Sequence, residues 1–223
     1  MRCAESAPGT VEVWTLRLPA RVHPGVVADL LSDDERRRLR SFVSPADAAA
    51  FGTTRACLRL LLADRAGIAA AEVELLPDPR GKLAAVGAAS HLCFNVSHTR
   101  AWAAIAVRRG APVGVDIEAG PASRTTSLTK RWLLEDVAGW TAREAYVKAI
   151  GTGLRRRLDR LTVEPCRPHE HVACWRVGGD TEVCVRPLAG PRRTALAVAS
   201  RGGWQPRLHT ALPVDVARKL EAA

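Results

Sequence analysis

Two acidic residues lie two positions apart in a short apolar segment near the middle of the chain. The segment 113–118 reads VGVDIE, and as a strand it directs Asp116 and Glu118 to the same face because side chains alternate. Two carboxylates that point together repel each other unless a cation lies between them. A solvated strand face is one interpretation of this pair, and a Mg²⁺ site completed by phosphate oxygens is the other.

A second acid–base pair follows in the segment 140–150. Glu144 and Lys148 are four residues apart, so on a helix they share one face. An isolated pair of this kind is often a surface ion pair. Only four of the 33 cationic residues are lysines, however, and a lysine can release a proton whereas an arginine stays charged. The persistence of a lysine here favours a functional interpretation of Lys148.

Two further polar groups lie in connections between predicted strands. Ser97 and His98 stand next to each other, and adjacent strand residues point to opposite faces. Because the chain also lacks a G-x-S-x-G elbow, a phosphate-binding corner is favoured over a hydrolase nucleophile. The loop 80–82, RGK, contains a glycine, which permits close approach of a ligand to the backbone, and the hydrogen-bond donor Lys82.

The elements that must position these residues follow an α+β pattern. Strands are predicted at 11–18, 73–76, 93–97, 101–107, 113–118, 172–177, 182–186 and 195–199. Helices are predicted at 32–40 and from Pro45 to a stop at Gly67, each after a capping serine, and at 140–150. The Ser/Thr/Gly/Pro-rich stretch 119–129 is predicted to be a loop. Because each half holds strands and one sizeable helix, we expect two α+β lobes, 1–110 and 111–223.

The composition excludes several classes of protein. The chain has 223 residues, of which 47% are hydrophobic and 25% charged, as in ordinary globular proteins. It has no apolar run of the roughly 20 residues that a membrane-spanning helix needs, and residues 1–10 lack the apolar core of a secretory signal. We therefore expect a cytoplasmic protein without a membrane partner. The net charge of +10 attracts anionic partners without identifying them.

The six cysteines show neither a C-x-x-C pair nor a zinc-ligand spacing. Four of them lie among apolar neighbours, where a free thiol behaves as a small hydrophobe. We expect these four to be reduced residues of the core: Cys57, Cys93, Cys174 and Cys184.

Three blocks in this order carry a resemblance to a known family: FNVSH at 94–98, GVDIE at 114–118 and WTAREAYVKAIGTGL at 140–154. They resemble the signature blocks of the Sfp-type 4′-phosphopantetheinyl transferases. The RGK loop and FGTTRACLRLLL at 51–62 are similar to the family as well. The resemblance implies a monomer with a pseudo-twofold pair of α+β lobes. It also implies transfer of the phosphopantetheine arm of coenzyme A to a serine of an apo acyl or peptidyl carrier protein, with release of adenosine 3′,5′-bisphosphate.

The resemblance also implies roles for individual residues. The Mg²⁺ ligands would be Asp116, Glu118 and Glu144, with Glu144 also the base for the carrier serine. Lys148 would assist departure of the leaving phosphate. The coenzyme A nucleotide would contact a further set of residues, with Arg38 at its 3′-phosphate: Arg38, Lys82, Ser97 and His98. The family pattern adds an expectation of polyketide or nonribosomal peptide biosynthesis, including antibiotic biosynthesis.

The chain departs from the family in two places. Arg143 stands where the family usually has a lysine, which keeps the charge. Only 21 residues separate Glu118 from Trp140, a shorter interval than is usual, and the missing part normally helps to receive the carrier protein. Carrier recognition is therefore the function that the shortening puts in question.

Two other functions compete with the transferase. A metal-dependent nuclease or phosphoesterase would also use carboxylates and a lysine in a basic protein. It would need stacking aromatics along a basic track, and aromatic residues are only 4% of the chain, so no nucleic acid partner is expected. The other alternative is a catalytically impaired relative that still binds coenzyme A or a carrier protein.

Overall fold

The computed structural model describes residues 9–19, 27–79, 81–120, 127–152, 158–166 and 174–210, with the backbone alone for 127–136. These residues form a mixed α and β fold of helices and several sheets. No helix in these ranges is long and apolar enough to cross a membrane.

Two helices of the first half begin where the capping residues predict. Helix α1, Asp33–Ser41, follows Ser32, whose side chain accepts from the Glu35 amide in a complete capping box. Helix α2, Pro45–Ala66, follows the cap Ser44 and ends at Gly67, which takes the left-handed conformation that favours glycine. Both predictions are confirmed.

Helix α3 differs from its predicted bounds. It runs Ser127–Ile150, so the prediction of a loop through residue 129 and a helix start at Trp140 is wrong. Serine, threonine and glycine in this stretch have poor helix propensity, and that misled the prediction. The helix end before Gly151 is confirmed. Residues 121–126 lie outside the described part of the chain.

The first sheet has the strand order β11-β1-β5-β4. Its strands are β1 Gly9–Arg17, β4 Leu92–His98, β5 Trp102–Arg109 and β11 Trp204–His209. Helix α2 covers one face through a cluster of buried residues that includes Leu58, Leu61, Phe94 and Ile105. The last strand, β11, was not predicted. It pairs parallel with β1, so a segment near the end of the described chain belongs to the sheet of the first half.

The second sheet has the strand order β6-β10-β9-β8-β7. Its strands are β6 Val113–Ala119, β7 Val163–Pro165, β8 Trp175–Val177, β9 Val183–Leu188 and β10 Thr194–Arg201. Helix α3 packs on one face, where Ala142, Tyr146 and Val185 are buried. The strands predicted at 113–118, 182–186 and 195–199 are confirmed. Of the strand predicted at 172–177, residues 175–177 are confirmed, and 172–173 lie outside the described residues.

A small hairpin connects α2 to the first sheet. The strand predicted at 73–76 is shifted, because Ala70–Glu72 form a 3-10 turn and β2 spans Leu75–Pro77. It pairs antiparallel with β3, Leu83–Ala85, and the loop between them carries Lys82 towards the second sheet.

The two sheets pack against each other through a third apolar cluster. It contains Val13 and Ala106 of the first sheet, Val115 and Val198 of the second, and Trp204 of β11. The inter-sheet cluster therefore lies between a sheet that carries α2 and a sheet that carries α3. In this arrangement the edge strands β4 and β6 lie side by side.

The cysteine prediction is only partly correct. All described cysteines are free, but Cys57 alone among them is fully buried, whereas Cys93, Cys174 and Cys184 keep partial exposure. Cys166 is also partly exposed. Cys3 lies outside the described residues.

Candidate active site

A close approach of helix α3 to strand β6 brings the predicted acids together. A Cβ atom placed on Gly114 would lie 2.0 Å from the Ala145 carbonyl oxygen and 2.4 Å from the Ala149 amide nitrogen. Only glycine leaves room for helix backbone at that distance. Glu144 and Lys148 flank these contacts on α3, so the close packing carries them to Asp116 and Glu118 on β6.

Three side chains from three elements meet at Asp116. The Lys148 ammonium lies 2.6 Å from Asp116 Oδ1, and the Ser97 hydroxyl donates to the same oxygen at 2.7 Å. Lys148 also donates to Ser97 Oγ at 3.2 Å. The structure thus brings together residues that lie far apart in sequence and that were predicted separately.

The second oxygen of Asp116 lacks a partner. Asp116 is 2% exposed, and within the described ranges its Oδ2 atom is buried with no hydrogen-bond partner. A buried carboxylate oxygen without a donor is costly, because its desolvation is not offset. A cation bound there would satisfy it.

The two glutamates at this site, Glu118 and Glu144, also carry charge that burial and neighbouring carboxylates disfavour. Burial and the Asp116 charge raise the pKa of Glu118, and the Glu144 charge adds to the effect while Lys148 opposes it. Burial likewise raises the pKa of Glu144. Three carboxylates therefore lie within electrostatic reach of one another with one lysine among them.

This donor set fits a hard divalent cation. Carboxylate oxygens are the ligands that Mg²⁺ accepts, one or two at a time, with phosphate and water oxygens completing the shell. As the side chains stand, no group of three acidic, histidine or cysteine residues in the described ranges is already arranged to hold a metal. Asp116 is instead neutralised by Lys148.

The simple surface-pair interpretation of Glu144 and Lys148 does not fit. Their charged atoms are 4.0 Å apart, whereas Lys148 lies 2.6 Å from Asp116. Lys148 is one-quarter exposed, so its ammonium reaches the site from the helix rather than extending into solvent.

Lys82 supports the junction between β6 and α3. Its ammonium donates to the Lys148 carbonyl at 2.7 Å and to the Val113 carbonyl at 3.3 Å. Burial lowers its pKa. Since an ammonium has three donors, these two bonds leave one for another acceptor.

Asn95 links strand β4 to strand β6 by a hydrogen bond, a role that was not predicted from the sequence. Its side-chain oxygen accepts from the Val115 amide at 2.9 Å, on the edge of β6. An unpaired edge amide in this interior position would carry a desolvation cost. The motif FNVSH contains Asn95, but only the pairing of the two sheets shows its partner.

Arg38 and His98 line one cavity of about 190 Å³. Arg55 lines it as well, and the Arg38 and Arg55 guanidinium groups lie over the Phe51 ring, 5.2 and 5.7 Å from its centre. Among the residues that the structure describes, Arg55 Nη1 has no hydrogen-bond acceptor although it is buried. Two guanidinium groups and an unused donor suit an anionic ligand. Arg55 had no predicted role, since α1 and α2 must pack before it joins Arg38.

A second cavity, of about 330 Å³, opens beside Glu118. Trp140 and Arg143 line it, and Trp140 is 44% exposed. Arg143 Nε donates to the Leu161 carbonyl at 2.6 Å, so the cationic group at this position is held by the segment that precedes β7.

Comparison with known proteins gives the site its context. No family model matches the chain. The 4′-phosphopantetheinyl transferase HetI of Nostoc sp. is 30% identical over 88% of this chain and 91% of its own length. A putative 4′-phosphopantetheinyl transferase of Synechocystis sp. is 28% identical over 76% of each chain. The human L-aminoadipate-semialdehyde dehydrogenase-phosphopantetheinyl transferase is 26% identical over 65% of this chain.

The family resemblance noted in the sequence blocks therefore extends over most of the chain. The blocks that carry it are those that meet at Asp116, namely β4, β6 and α3. The protein belongs to the 4′-phosphopantetheinyl transferase family.

Proposed function

We propose that the protein transfers the 4′-phosphopantetheine arm of coenzyme A to a serine of an apo acyl or peptidyl carrier protein, in a Mg²⁺-dependent reaction. The observation that supports this most strongly is the meeting of acids and lysine where β6 contacts α3. Asp116 is buried there with one oxygen unpartnered among the described residues, and Lys148 lies against the other.

The acids at this junction would hold the metal. Asp116, Glu118 and Glu144 supply carboxylate oxygens, and the unpartnered oxygen of Asp116 is the one that most needs a cation. When bound, Mg²⁺ would neutralise charge on the nonbridging oxygens of the coenzyme A pyrophosphate.

The transfer exchanges one phosphorus–oxygen bond for another. The serine hydroxyl of the carrier attacks the phosphorus that bears pantetheine, and the bond from that phosphorus to the bridging oxygen breaks. We assign the serine proton to Glu144. We assign two tasks to Lys148: it stabilises the charge on the departing adenosine 3′,5′-bisphosphate and donates a proton to the leaving oxygen. Charge that grows on a leaving oxygen is stabilised by a cation already held nearby, and Lys148 is held by Asp116 and Ser97.

We assign the nucleotide end of coenzyme A to the cavity that Arg38 and His98 line. Its 3′-phosphate would meet Arg38 together with Arg55, which carries the unused donor. Arginine binds phosphate with two parallel donors, which lysine cannot do. His98 lies in the same cavity, whereas Ser97, next to it on β4, points to the opposite face towards Asp116.

The predicted nucleotide contacts of Lys82 and Ser97 remain part of this proposal, with a second task. Lys82 holds β6 to the last turn of α3, and its remaining donor is free to meet a phosphate oxygen. Ser97 bridges Asp116 and Lys148, so its hydroxyl orients both before any substrate binds.

We further propose that the two layered halves are the lobes of the family's pseudo-twofold fold, with the boundary near residue 110 and coenzyme A between them. What supports this is that each sheet carries one long helix on its outer face and packs on the other sheet through one apolar cluster. Strand β11 crosses from the second half to complete the first sheet.

An inactive binding protein is the other candidate, favoured by the short interval of 21 residues between Glu118 and Trp140. Helix α3 begins at Ser127, however, so much of this interval is already helix that leads directly to Glu144. The acids and Lys148 are all present, which favours the active enzyme.

A panel of apo carrier proteins separates these two functions. Each carrier is incubated with coenzyme A, Mg²⁺ and the protein, and its intact mass is measured. We expect a gain of one phosphopantetheine that EDTA prevents, and the same gain with the control variant Glu74→Gln, whose side chain is exposed and outside the site. Coenzyme A binding without any gain on any carrier would instead establish the inactive binding protein.

A further inference from the structure

Three cysteine side chains meet at one end of the second sheet, on residues that the transfer reaction does not use. The Cys174 sulfur lies 2.8 Å from the Cys166 sulfur and 2.6 Å from the Cys184 sulfur. All three are free thiols, and all are partly exposed. Cys174 is therefore in contact with two possible partners at once.

The strand register explains why the three thiols meet. Pro165 lies opposite Trp175 in the antiparallel pair β7 and β8, so Cys166 and Cys174 are the next opposed pair. The Cys166 amide donates to the Cys174 carbonyl at 2.7 Å, which continues the ladder. Opposed residues with this bonding have Cα atoms about 5.5 Å apart, within the range that disulfides span.

The third thiol reaches the same place from the next strand. Trp175 lies opposite Val185 in the pair β8 and β9, which puts Cys184 diagonally across from Cys174 on the same face. Val183 and Val185 point to the other face and pack in the cluster under α3. The thiols are thus on the face of β9 away from the helix that carries Glu144 and Lys148.

The cluster is open to small reagents. The three cysteines line a cavity of about 410 Å³ together with Arg176 and Arg186. With Glu182 also at the wall, the two arginines leave a net positive charge, which favours anionic reagents. A glutathione-like disulfide carries negative charge and can undergo thiol–disulfide exchange with a cysteine.

We propose that Cys166, Cys174 and Cys184 form a redox-active thiol site in which Cys174 makes a disulfide with either neighbour. In the first step a thiolate of the site attacks a low-molecular-weight disulfide, forming a mixed disulfide and releasing one reduced thiol. A second thiol of the site then displaces the remaining small thiol. Two protein thiols are oxidised to a disulfide, and the reagent disulfide takes up both electrons and both protons as it is reduced to two small thiols.

The third cysteine allows the disulfide to exchange between the two possible partners of Cys174. Its thiolate attacks Cys174 within the first disulfide, forms a bond to that sulfur and releases the former partner, with no net oxidation. Burial and hydrogen bonds with the neighbouring thiols raise the pKa of Cys174. Attack on the reagent therefore starts at Cys166 or Cys184, and Cys174 serves as the shared partner.

Peptide mapping distinguishes the two disulfides. Trypsin leaves the Arg167–Pro168 bond intact, so Cys166 and Cys174 remain together in peptide 161–176, and Cys184 falls in peptide 177–192. A disulfide between Cys166 and Cys174 removes two hydrogens from the first peptide. A disulfide between Cys174 and Cys184 joins the two peptides.

The test treats the EDTA-washed, reduced full chain with oxidised glutathione and maps it without reduction. We expect both disulfides in the wild type, only the joined peptides in Cys166→Ser, and only the internal disulfide in Cys184→Ser. Cys174→Ser is expected to give neither, and Cys93→Ser should match the wild type. Circular dichroism of each variant verifies the fold.

Two results would overturn the proposal. One is a wild type that retains all three thiols under conditions in which a two-thiol control peptide is fully oxidised. The other is a disulfide pattern that the Cys174→Ser substitution leaves unchanged. Because the transferase site uses none of these residues, carrier modification by Cys174→Ser is expected to equal that of the wild type.

Discussion

At Asp116 one carboxylate oxygen binds both Ser97 and Lys148, while the other is buried and has no partner among the described residues. The contacts of the first oxygen stabilise the buried charge, because a buried ion pair needs further hydrogen bonds to offset desolvation. The second oxygen has no such contact in the described part of the chain and is the one that a cation would bind. Asp116 is therefore the residue at which the bound cation should matter most.

Replacing Asp116 tests the metal assignment. Asp116→Asn keeps the side-chain size but removes the charge. We expect the rate of carrier modification to fall by more than about a hundredfold, because changing a residue that only hydrogen-bonds to a metal ligand already costs about 10- to 100-fold. The initial rate of holo-carrier formation is the measurement. Unchanged turnover in a folded Asp116→Asn protein would refute the assignment, and Glu74→Gln is the matched control.

Lys148 is assigned to the leaving group, and its conservative variant separates charge from proton donation. Lys148→Arg keeps a cation beside Asp116 but cannot readily release a proton. We expect the turnover rate to fall while the dissociation constant for coenzyme A, measured by calorimetry, changes little. An unaltered turnover rate would leave Lys148 with an electrostatic role alone.

Arg38 can be tested with a substrate that lacks the group it is proposed to bind. Arg38→Met should raise the KM for coenzyme A roughly tenfold or more, since a charge-assisted hydrogen bond contributes about 1.5–3 kcal/mol. The KM for 3′-dephospho-coenzyme A should not change. Arg37→Met, on the same helix and largely exposed, is the control. Equal effects on both substrates would contradict the 3′-phosphate assignment.

Residue spacing predicted part of this site and not the rest. Asp116 and Glu118 share a strand, and Glu144 and Lys148 share a helix, so their local periodicity was visible in the sequence. Asn95 and Arg55 act across elements, and their partners Val115 and Arg38 are brought near only by tertiary packing. Such contacts have no local pattern to read.

At the scale of elements, the site depends on how closely α3 lies on β6. Gly114 permits this approach, and a methyl group there would collide with helix backbone at Ala145 and Ala149. Backbone cannot rotate away as a side chain can, so the helix itself must shift. A shift of α3 moves Glu144 and Lys148 together.

Gly114→Ala should therefore lower both stability and activity. Overpacking of a core contact costs about 1–3 kcal/mol, which urea denaturation measures, and carrier modification should be impaired even where the protein remains folded. Gly139→Ala, on α3, is the control, because its added Cβ would meet only the end of the Arg143 side chain. We expect it to stabilise the helix by up to about 1 kcal/mol. Equal behaviour of the two variants would contradict this role of Gly114.

The elements that sequence reasoning missed have a common cause. Capping residues predicted α1 and α2 because Ser32, Ser44 and Gly67 act locally. The first half of α3 contains hydroxyl residues and strand β11 contains a proline, and these residues favour turns in isolation. Their conformations depend on packing, which for β11 is the parallel pairing with β1.

At the scale of the whole molecule, two helix-bearing sheets pack on each other, and the acids lie where β6 meets α3. The net charge of +10 surrounds this site with a field that attracts anions. Coenzyme A is anionic, and so are many carrier domains. The charge should therefore speed the encounter with a carrier rather than tighten the final complex.

Salt dependence measures this contribution. Raising the NaCl concentration from about 0.05 to about 0.5 M shortens the screening length, so kcat/KM for an acidic carrier should fall several-fold. A carrier whose surface acids are replaced by amides should have a lower kcat/KM at low salt and should show a smaller decrease in kcat/KM as salt is added. A salt-independent rate with the acidic carrier would show that the charge does not guide this encounter.

The proposed transfer makes two products in equal amounts. In a single reaction with an apo carrier, intact mass gives the holo-carrier, and chromatography gives adenosine 3′,5′-bisphosphate. With Mg²⁺ and wild-type protein we expect one bisphosphate per holo-carrier, and with EDTA or Asp116→Asn we expect almost none of either. Release of bisphosphate without holo-carrier, or equal yields with and without Mg²⁺, would contradict the proposed metal-dependent transfer.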